Sequence, residues 1–345
     1  MKNRIIYVGS QYLGHTPDDG ETMKNQLMRD AIADHVDSII PIDLRNRPAR
    51  KWYLVKFVLC LLFLRKAKVL ISASVYVAGT MLNVCRKLGK KKGIYYWVVG
   101  GLFDKLLVSG ELNINHYKNL EKIIVQTRDM EENLRKAGLT QVMTVPNSKP
   151  IPKLLEVHKS IKASRFVFMS RVTKEKGVEY IIEAIKSIRK KSDYRPRVDF
   201  YGRLDSDYQD RFKELIDGDS ALHYYGVLDM TSFSGYEKLA EYDMMLFPSF
   251  HPGEGFPGIA IDAFIAGLPI IASDWHENAQ VIENGRTGVI IPTHNQDSLE
   301  DAIMNACAGK YDLAAMSKNA QAEVSKYDIK NVITPALLKQ IGLIG

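Results

Sequence analysis

Short apolar runs alternate with helical patterns along the whole chain. In the first half the runs are four or five residues long and bounded by turn-forming residues, which predicts strands over 5–9, 38–41, 69–73, 94–98, 123–126 and 142–145. Helical periodicity lies between them, for example over 21–34 and 130–137. Strands that alternate with helices indicate a parallel α/β domain.

The second half repeats this alternation after a proline-rich break. Three prolines, Pro146, Pro150 and Pro152, interrupt regular structure. Strands are then predicted over 166–170, 198–202, 222–225, 244–247, 270–272 and 289–291, with helices over 178–189, 259–266 and 298–307. We therefore predict two doubly wound, Rossmann-like domains, 1–148 and 149–328, facing a cleft, with a C-terminal helix over 329–345 packing back toward the first domain.

Composition supports a folded chain with two domains. The 345 residues suffice for two hydrophobic cores, and 46% are apolar. The three cysteines, Cys60, Cys85 and Cys307, are widely spaced and form no CxxC pair, which argues against a zinc cluster or a disulfide framework. The first apolar run is too short for a signal peptide and ends at Gly9. We expect a cytoplasmic protein.

The charge is distributed unevenly. The net charge is +7, but residues 1–150 carry +11 and the remainder −4. No acidic residue occurs between Asp43 and Asp104, whereas 13 basic residues do. This gap contains an apolar run over 52–64, which is shorter than the roughly 20 residues that a membrane-spanning helix needs.

Three interpretations of the run over 52–64 stay open. It can be a buried helix with solvated basic ends. It can instead hold the basic region over 45–68 on an anionic membrane surface, with Trp52, Tyr53 and Phe57 entering the headgroup layer. Nucleic-acid binding is the third and is the weakest, since the basic residues flank an apolar stretch and no nucleic-acid-binding motif is present; we expect no nucleic-acid partner.

A glycine-containing loop over 248–258 joins a predicted strand to a predicted helix. Such a loop presents backbone N–H groups and the positive end of the helix dipole to a ligand, which suits a phosphate. Glu254 lies on the loop, and Asp262 lies eight positions later inside the helix. Two carboxylates near a phosphate are compatible with binding if they contact neutral hydroxyls, which points to a nucleotide sugar.

A second cluster follows the first strand of the second half. Arg171 and Lys176 could neutralise a pyrophosphate, with arginine as a bidentate fork and lysine as a compact charge. Basic residues at the start of a helix are commonly just solvated, so this motif is weak alone.

Together these motifs resemble the GT-B-fold, family 4 retaining glycosyltransferases. The resemblance covers essentially the second domain and rests on Ser170-Arg171, Lys176-Gly177, Pro248-Ser249, Glu254-Gly255-Phe256-Pro257, Asp262 and the run over 283–288. It implies that Arg171 and Lys176 contact the donor diphosphate and Glu254 the transferred sugar. It also implies that the backbone of Gly255, Phe256, Pro257 and Gly258 binds sugar or phosphate and that Asp262 contacts the ribose. Members of this fold usually need no metal, so we expect neither a metal nor another cofactor.

The chain departs from the family pattern at two places. The family usually has a second glutamate where this chain has the shorter Asp262. Many members also carry a histidine shortly after a strand of the first domain, and the stretch over 95–104 has none. The group that accepts the acceptor's proton is therefore not assigned by the resemblance.

The loop over 9–22 offers candidates for that group. In the family it borders the acceptor and the diphosphate, which makes Gly14 a candidate for binding and Asp19, Asp18 or His15 a candidate general base. The same residues also suit a turn and a helix N-cap. Gly202, which follows a predicted strand, is expected to line the nucleotide site. Asp205 and Asp207 imitate a metal-binding DxD motif but more simply cap the next helix.

The sequence therefore predicts a retaining glycosyltransferase. It would transfer a sugar from a UDP- or GDP-linked donor to a lipid-linked saccharide acceptor. The reaction would belong to the assembly of capsule, O-antigen or exopolysaccharide, on the inner face of the cell membrane. The alternatives are a nucleotide-sugar epimerase of the same fold and a non-catalytic protein that binds nucleotide sugars or polyanions. The spacing of glycines in 9–14 does not support a nicotinamide enzyme, and no P-loop motif is present.

Overall fold

The computed structural model describes residues 3–15, 20–45, 49–157 and 159–345. It divides into two compact units. The first contains Met1–Pro150 together with Lys326–Gly345, and the second contains Ile151–Ser325. Each unit is built on a parallel six-stranded sheet.

The first unit has the strand order β2-β1-β3-β4-β5-β6, with all neighbours parallel. Its strands are β1 (Arg4–Gly9), β2 (Ser38–Asp43), β3 (Lys68–Ala73), β4 (Ile94–Val98), β5 (Lys122–Val125) and β6 (Val142–Thr144). Its connecting helices are α1 (Gly20–Ala33), α2 (Arg50–Phe63), α3 (Val75–Lys87), α4 (Phe103–Val108) and α5 (Arg128–Lys136).

The second unit has the order β12-β11-β10-β7-β8-β9. Its strands are β7 (Arg165–Met169), β8 (Arg197–Tyr201), β9 (Leu222–Tyr224), β10 (Met244–Phe247), β11 (Ile270–Ser273) and β12 (Gly288–Ile291). Its helices are α6 (Val178–Lys191), α7 (Gln209–Ile216), α8 (Phe233–Ala240), α9 (Gly258–Ile265), α10 (Asn278–Val281), α11 (Gln296–Cys307) and α12 (Leu313–Glu323).

The predicted strands are confirmed, with ends that differ by at most two residues. The largest extension is in β2, which continues two residues past Pro41 to Asp43. Proline is tolerated there because β2 is an edge strand, where one side of the backbone needs no ladder partner. The doubly wound α/β architecture of both units follows from this alternation.

The C-terminal segment adds to the core of the first unit. The sequence predicts one helix over 329–345, whereas the structure has two short helices, α13 (Ile329–Val332) and α14 (Pro335–Gln340). Their apolar side chains pack with Tyr7, Tyr95 and Trp97 on one face of the sheet. The opposite face carries a separate core that includes Val8, Ile71 and Phe57.

Helix α2 is apolar on two sides. Phe57, Cys60 and Leu61 are buried in the core of the first unit. The opposite side exposes five large apolar side chains: Trp52, Val55, Leu59, Leu62 and Phe63. The buried-helix interpretation thus describes one face of α2 and leaves the other unexplained. None of the helices in the described ranges combines the length and the apolar character required to cross a membrane.

Candidate functional site

The candidate site lies where two neighbouring strands of the second unit end. Strand β7 pairs with β10, while the chain proceeds from β7 to β8 on the other side, so the strand order reverses between β7 and β10. In open α/β sheets, ligands bind outside the carboxyl ends of the strands at such a reversal. Arg171 and Lys176 follow β7, and Glu254 follows β10. Topology thus brings the two predicted motifs to one point.

Lys176 and Glu254 form an ion pair there. The Lys176 Nζ contacts Glu254 Oε2, and both side chains are largely buried. The buried Ser249 also donates from Oγ to Glu254 Oε2, at 2.9 Å. Both donors occupy Oε2, and within the described part of the chain no hydrogen bond reaches Oε1. The carboxylate is therefore oriented by the protein and keeps one oxygen for a ligand.

Gly177 makes this ion pair sterically possible. Its φ of 78° lies in the left-handed region, which glycine adopts without a Cβ penalty. A Cβ at this position would lie 2.2 Å from the carbonyl oxygen of Pro248. The Lys176-Gly177 turn consequently packs directly on the loop that carries Glu254.

The loop after β10 leads into α9 as the sequence predicts. Pro257 is the residue that caps α9, and Gly258 is its first residue. Phe256 is buried, whereas Gly255 and Gly258 are half-buried. The first N–H groups of a helix have no partner within the helix, so this end of α9 can donate hydrogen bonds to an anion.

Arg171 is exposed next to His251. The Arg171 Nη2 lies 3.5 Å from His251 Nε2. The backbone N–H of Gly253 donates to Nδ1 of the same ring at 3.1 Å, so Nε2 carries the proton when the ring is neutral. Burial, together with the charge of Lys176, lowers the pKa of His251 and favours that neutral form. The histidine therefore gives Arg171 no acceptor, and the guanidinium can bind an anion.

Thr173 contributes an unsatisfied hydroxyl to the same loop. Its Oγ1 is buried and has no hydrogen-bond partner among the described residues. Such a group is normally paired, so its position between Arg171 and Lys176 fits a loop that receives phosphoryl oxygens.

Asp262 occupies a more enclosed position than the other predicted residues. It lies inside α9, is buried, and its Oδ1 accepts a hydrogen bond of 3.1 Å from the Tyr236 hydroxyl of α8. Its contact with a ribose stays a prediction. Gly202 follows β8 with a φ of 135°, and a Cβ there would meet the carbonyl oxygen of Ser170 at 1.7 Å. Gly202 thus allows the loops after β7 and β8 to approach closely.

The loop after β1 is anchored in the first unit. Asp43 accepts hydrogen bonds from the backbone N–H groups of Gln11 and Leu13, at 3.0 and 2.8 Å. Gly14 is exposed in a left-handed turn that Tyr12 and His15 close, with a φ of 78°. Asp18 and Asp19 lie outside the described residues, so their predicted role as a base remains a prediction.

The predicted capping role of Asp205 is confirmed. Its side chain accepts a hydrogen bond from the backbone N–H of Asp207, which starts a single 3₁₀ turn over Ser206–Tyr208.

Sequence reasoning did not assign Ser249, His251 or Thr173. Ser249 and His251 lie on the loop over 248–258, but their roles depend on side-chain contacts. Thr173 lies between Arg171 and Lys176, and only the structure shows that its hydroxyl is buried without a partner in the described part of the chain. Ser249 contacts Glu254 within the β10 loop. His251 meets Arg171 across the junction of the β7 and β10 loops, which no sequence spacing encodes.

Comparisons with known proteins agree with this picture. Two doubly wound units of this kind define the GT-B class of fold. The chain superposes on sucrose-phosphate synthase from Thermosynechococcus elongatus with a TM-score of 0.73 and 15% identity, over 98% of each chain. It also superposes on HepE of Anabaena, solved in complex with UDP, with a TM-score of 0.73 and 14% identity, over 100% of each chain.

The second unit carries the family signature. Residues 154–323 match the model of the family described as Glycosyl transferases group 1. An exopolysaccharide phosphotransferase of Streptomyces coelicolor is 30% identical over 50% of this chain and 18% of its own length. The N,N'-diacetylbacillosaminyl-diphospho-undecaprenol alpha-1,3-N-acetylgalactosaminyltransferase of Campylobacter jejuni is 26% identical over 50% of this chain and 43% of its own. The chain thus spans less than half the length of these relatives.

Proposed function

We propose that this protein is a retaining glycosyltransferase that moves a sugar from a UDP- or GDP-linked donor to a saccharide acceptor. The observation that carries the proposal is the junction of the β7 and β10 loops, where Lys176, Glu254 and the N-terminus of α9 meet. It combines donors for a diphosphate with a carboxylate that suits sugar hydroxyls. The family of residues 154–323 supports the same conclusion.

The site stabilises the leaving diphosphate. When the bond between sugar and diphosphate breaks, negative charge develops on the leaving oxygen. Arg171, Lys176 and the backbone N–H groups at the start of α9 place positive charge and hydrogen-bond donors there before the reaction begins. Donors that are already oriented cost no reorganisation in the transition state, and removing one typically costs about 10²–10³-fold in rate.

Glu254 orients the transferred sugar. Its Oε2 is held by Lys176 and Ser249, and its Oε1 accepts a sugar hydroxyl. A carboxylate accepts hydrogen bonds from hydroxyl donors and repels a misplaced phosphate.

A transfer assay tests the proposal. The purified protein is incubated with a panel of UDP- and GDP-sugars and a bacterial lipid extract, and labelled product is counted. We expect Glu254→Gln to reduce transfer by about 10²-fold or more, as for the loss of a group that acts in the transition state. The matched control is Glu300→Gln, since Glu300 also pairs with a lysine of the second unit, Lys191, at the far end of α6.

The same assay separates the alternatives. Donor consumed without any acceptor would indicate an epimerase. Donor binding without turnover in any extract would indicate a binding protein. Equal transfer by the wild type and Glu254→Gln would refute the role of Glu254.

We further propose that the acceptor is lipid-linked and that the protein works on the inner face of the cell membrane, in the assembly of surface polysaccharide. The Campylobacter relative's name specifies a diphospho-undecaprenol acceptor, and the Streptomyces relative's name specifies exopolysaccharide. The outer face of α2 supports this: Trp52 and Phe63 are 76% and 78% exposed.

Basic side chains border this apolar face. Lys51 and Lys56 lie along α2, and Arg65 and Lys66 follow its end, all exposed. Lys90 donates to the carbonyl oxygens of Arg65 and Ala67, which places the exposed Lys91 and Lys92 beside them. Lys68, by contrast, donates to the carbonyl oxygens of Gly342 and Leu343, so its charge is used inside the unit. An apolar stripe with a basic border complements an anionic bilayer surface.

Vesicle flotation tests the membrane proposal. We expect binding to vesicles of phosphatidylglycerol but not of phosphatidylcholine. Replacing both Arg65 and Lys66 by Gln should weaken it about fivefold per charge, since each cation near the surface is worth about 1 kcal/mol. Trp52→Ser with Phe63→Ser should weaken it by roughly tenfold or more.

The control for flotation is Ile161→Ser, since Ile161 is 80% exposed in the second unit. It should leave binding unchanged. Binding that does not depend on lipid charge, or that the α2 substitutions leave unchanged, would refute the proposal that this face of α2 binds an anionic membrane.

A further inference from the structure

Lys24 is a buried lysine in the first unit. It lies on the side of α1 that carries the buried Asn25, Met28 and Ile32, and only 9% of its surface is exposed. Lysine is almost never this buried unless its charge is paired. Among the described residues, no carboxylate forms an ion pair with Lys24, and its Nζ donates one hydrogen bond of 3.3 Å, to the carbonyl oxygen of Val98.

This contact places Nζ at the carboxyl edge of the first sheet. Val98 is the last residue of β4, and Gly100 follows in a left-handed conformation with a φ of 89°. The neighbouring Asn25 donates to the carbonyl oxygens of Ser10 and Ser72, at 3.1 and 3.2 Å, and so bridges the ends of β1 and β3. The strand order reverses between these two strands, which is where ligands bind in such sheets.

We propose that Lys24 binds a phosphoryl group of the acceptor at the carboxyl edge of the first sheet. An ammonium group can donate three hydrogen bonds, and the described structure provides one acceptor. A phosphoryl oxygen supplies the missing acceptors and the missing charge. The proposal rests on the proposed function, because it assigns the acceptor side of that reaction to residues of the first unit.

Electrostatics agrees with this assignment. Burial lowers the pKa of Lys24 to about 7, while the charge of Glu21, one turn earlier on α1, opposes the shift. An anion bound beside Nζ would stabilise the charged form of Lys24, which burial otherwise disfavours.

Binding of phosphate compounds to the full chain tests the proposal. The probes are glucose 6-phosphate for a soluble acceptor and geranyl phosphate for a lipid-borne one, with glucose as the uncharged reference, all measured by calorimetry. We expect the wild type to bind at least one phosphate probe, Lys24→Met to bind it at least tenfold more weakly, and Lys24→Arg to retain binding. Lys136→Met, at an exposed lysine of α5, should match the wild type.

The outcomes separate this proposal from the proposed function. Lys176→Met should lose donor binding and keep the Lys24-dependent phosphate binding. Lys24→Met should keep donor binding and lose the phosphate binding. Circular dichroism verifies the fold, and Lys24→Gln replaces the methionine variant if that variant does not fold. Equal binding by the wild type and the Lys24 variants, or no binding of either phosphate by the wild type, would overturn the proposal.

Discussion

At the scale of single residues, the candidate site depends on backbone positions as much as on charges. Lys176 meets Glu254 because Gly177 allows the turn to rest on Pro248. Gly202 gives the same close approach between the loops after β7 and β8. The charged pair is thus placed by residues that carry no functional group.

Replacement of Gly177 by alanine should therefore damage the site. The new Cβ meets the Pro248 carbonyl oxygen. The left-handed conformation costs a residue with a Cβ a further ~1–2 kcal/mol. We expect lower stability of the second unit and loss of the rise in Tm that a nucleoside diphosphate causes.

Gly218→Ala is the matched control for this change. Gly218 has a φ of 67°, but a Cβ there has no heavy atom within 4 Å. Gly218→Ala should lose only the stability that the left-handed conformation costs, and it should keep the ligand-induced rise in Tm. A Gly177→Ala protein that keeps the full rise would show that the close approach is dispensable.

At the scale of elements, α9 serves both the site and the core. Its N-terminus faces the site, while six successive residues over 260–265 are buried. Asp262 is the polar member of this buried set, and Tyr236 of α8 supplies one of its hydrogen bonds. Burial and the neighbouring carboxylate both raise the pKa of Tyr236, so its hydroxyl stays protonated and donates.

Tyr236→Phe should destabilise the second unit. Removing one partner of a buried, charged hydrogen bond costs about 1–3 kcal/mol. Thermal unfolding measures the change. Tyr225→Phe, at an exposed tyrosine of the same unit, is expected to stay within about 0.5 kcal/mol of the wild type. Equal Tm values for the two variants would contradict the importance of the Asp262 contact.

The alternation of elements was predictable from sequence, and so was the pairing of Lys176 with Glu254 in one region. Both depend on local patterns: apolar runs set the strands, and loops after parallel strands share one edge. The outward face of α2 was not predictable, because apolar residues occupy both sides of that helix and periodicity cannot rank them. Lys24 and Tyr236 were missed for another reason, since their partners are 74 and 26 positions away along the chain.

At the scale of the whole molecule, the proposed function divides its chemistry between the two units. The second unit has the strand reversal, the cationic loop and the glutamate that suit an activated sugar. The first unit has the basic border of α2 and the buried Lys24, which suit an acceptor carried by a lipid. The charge difference between the two halves of the sequence, +11 against −4, reflects this division.

The most direct test of the central claim is the affinity of the purified protein for UDP and GDP, measured by calorimetry. Lys176→Met should weaken binding by about tenfold to a hundredfold, the range expected for a hydrogen bond to a charged group. Lys191→Met, at the opposite end of α6, should bind as the wild type does. Equal affinity for the wild type and Lys176→Met, or no binding of either nucleotide by the wild type, would contradict the account.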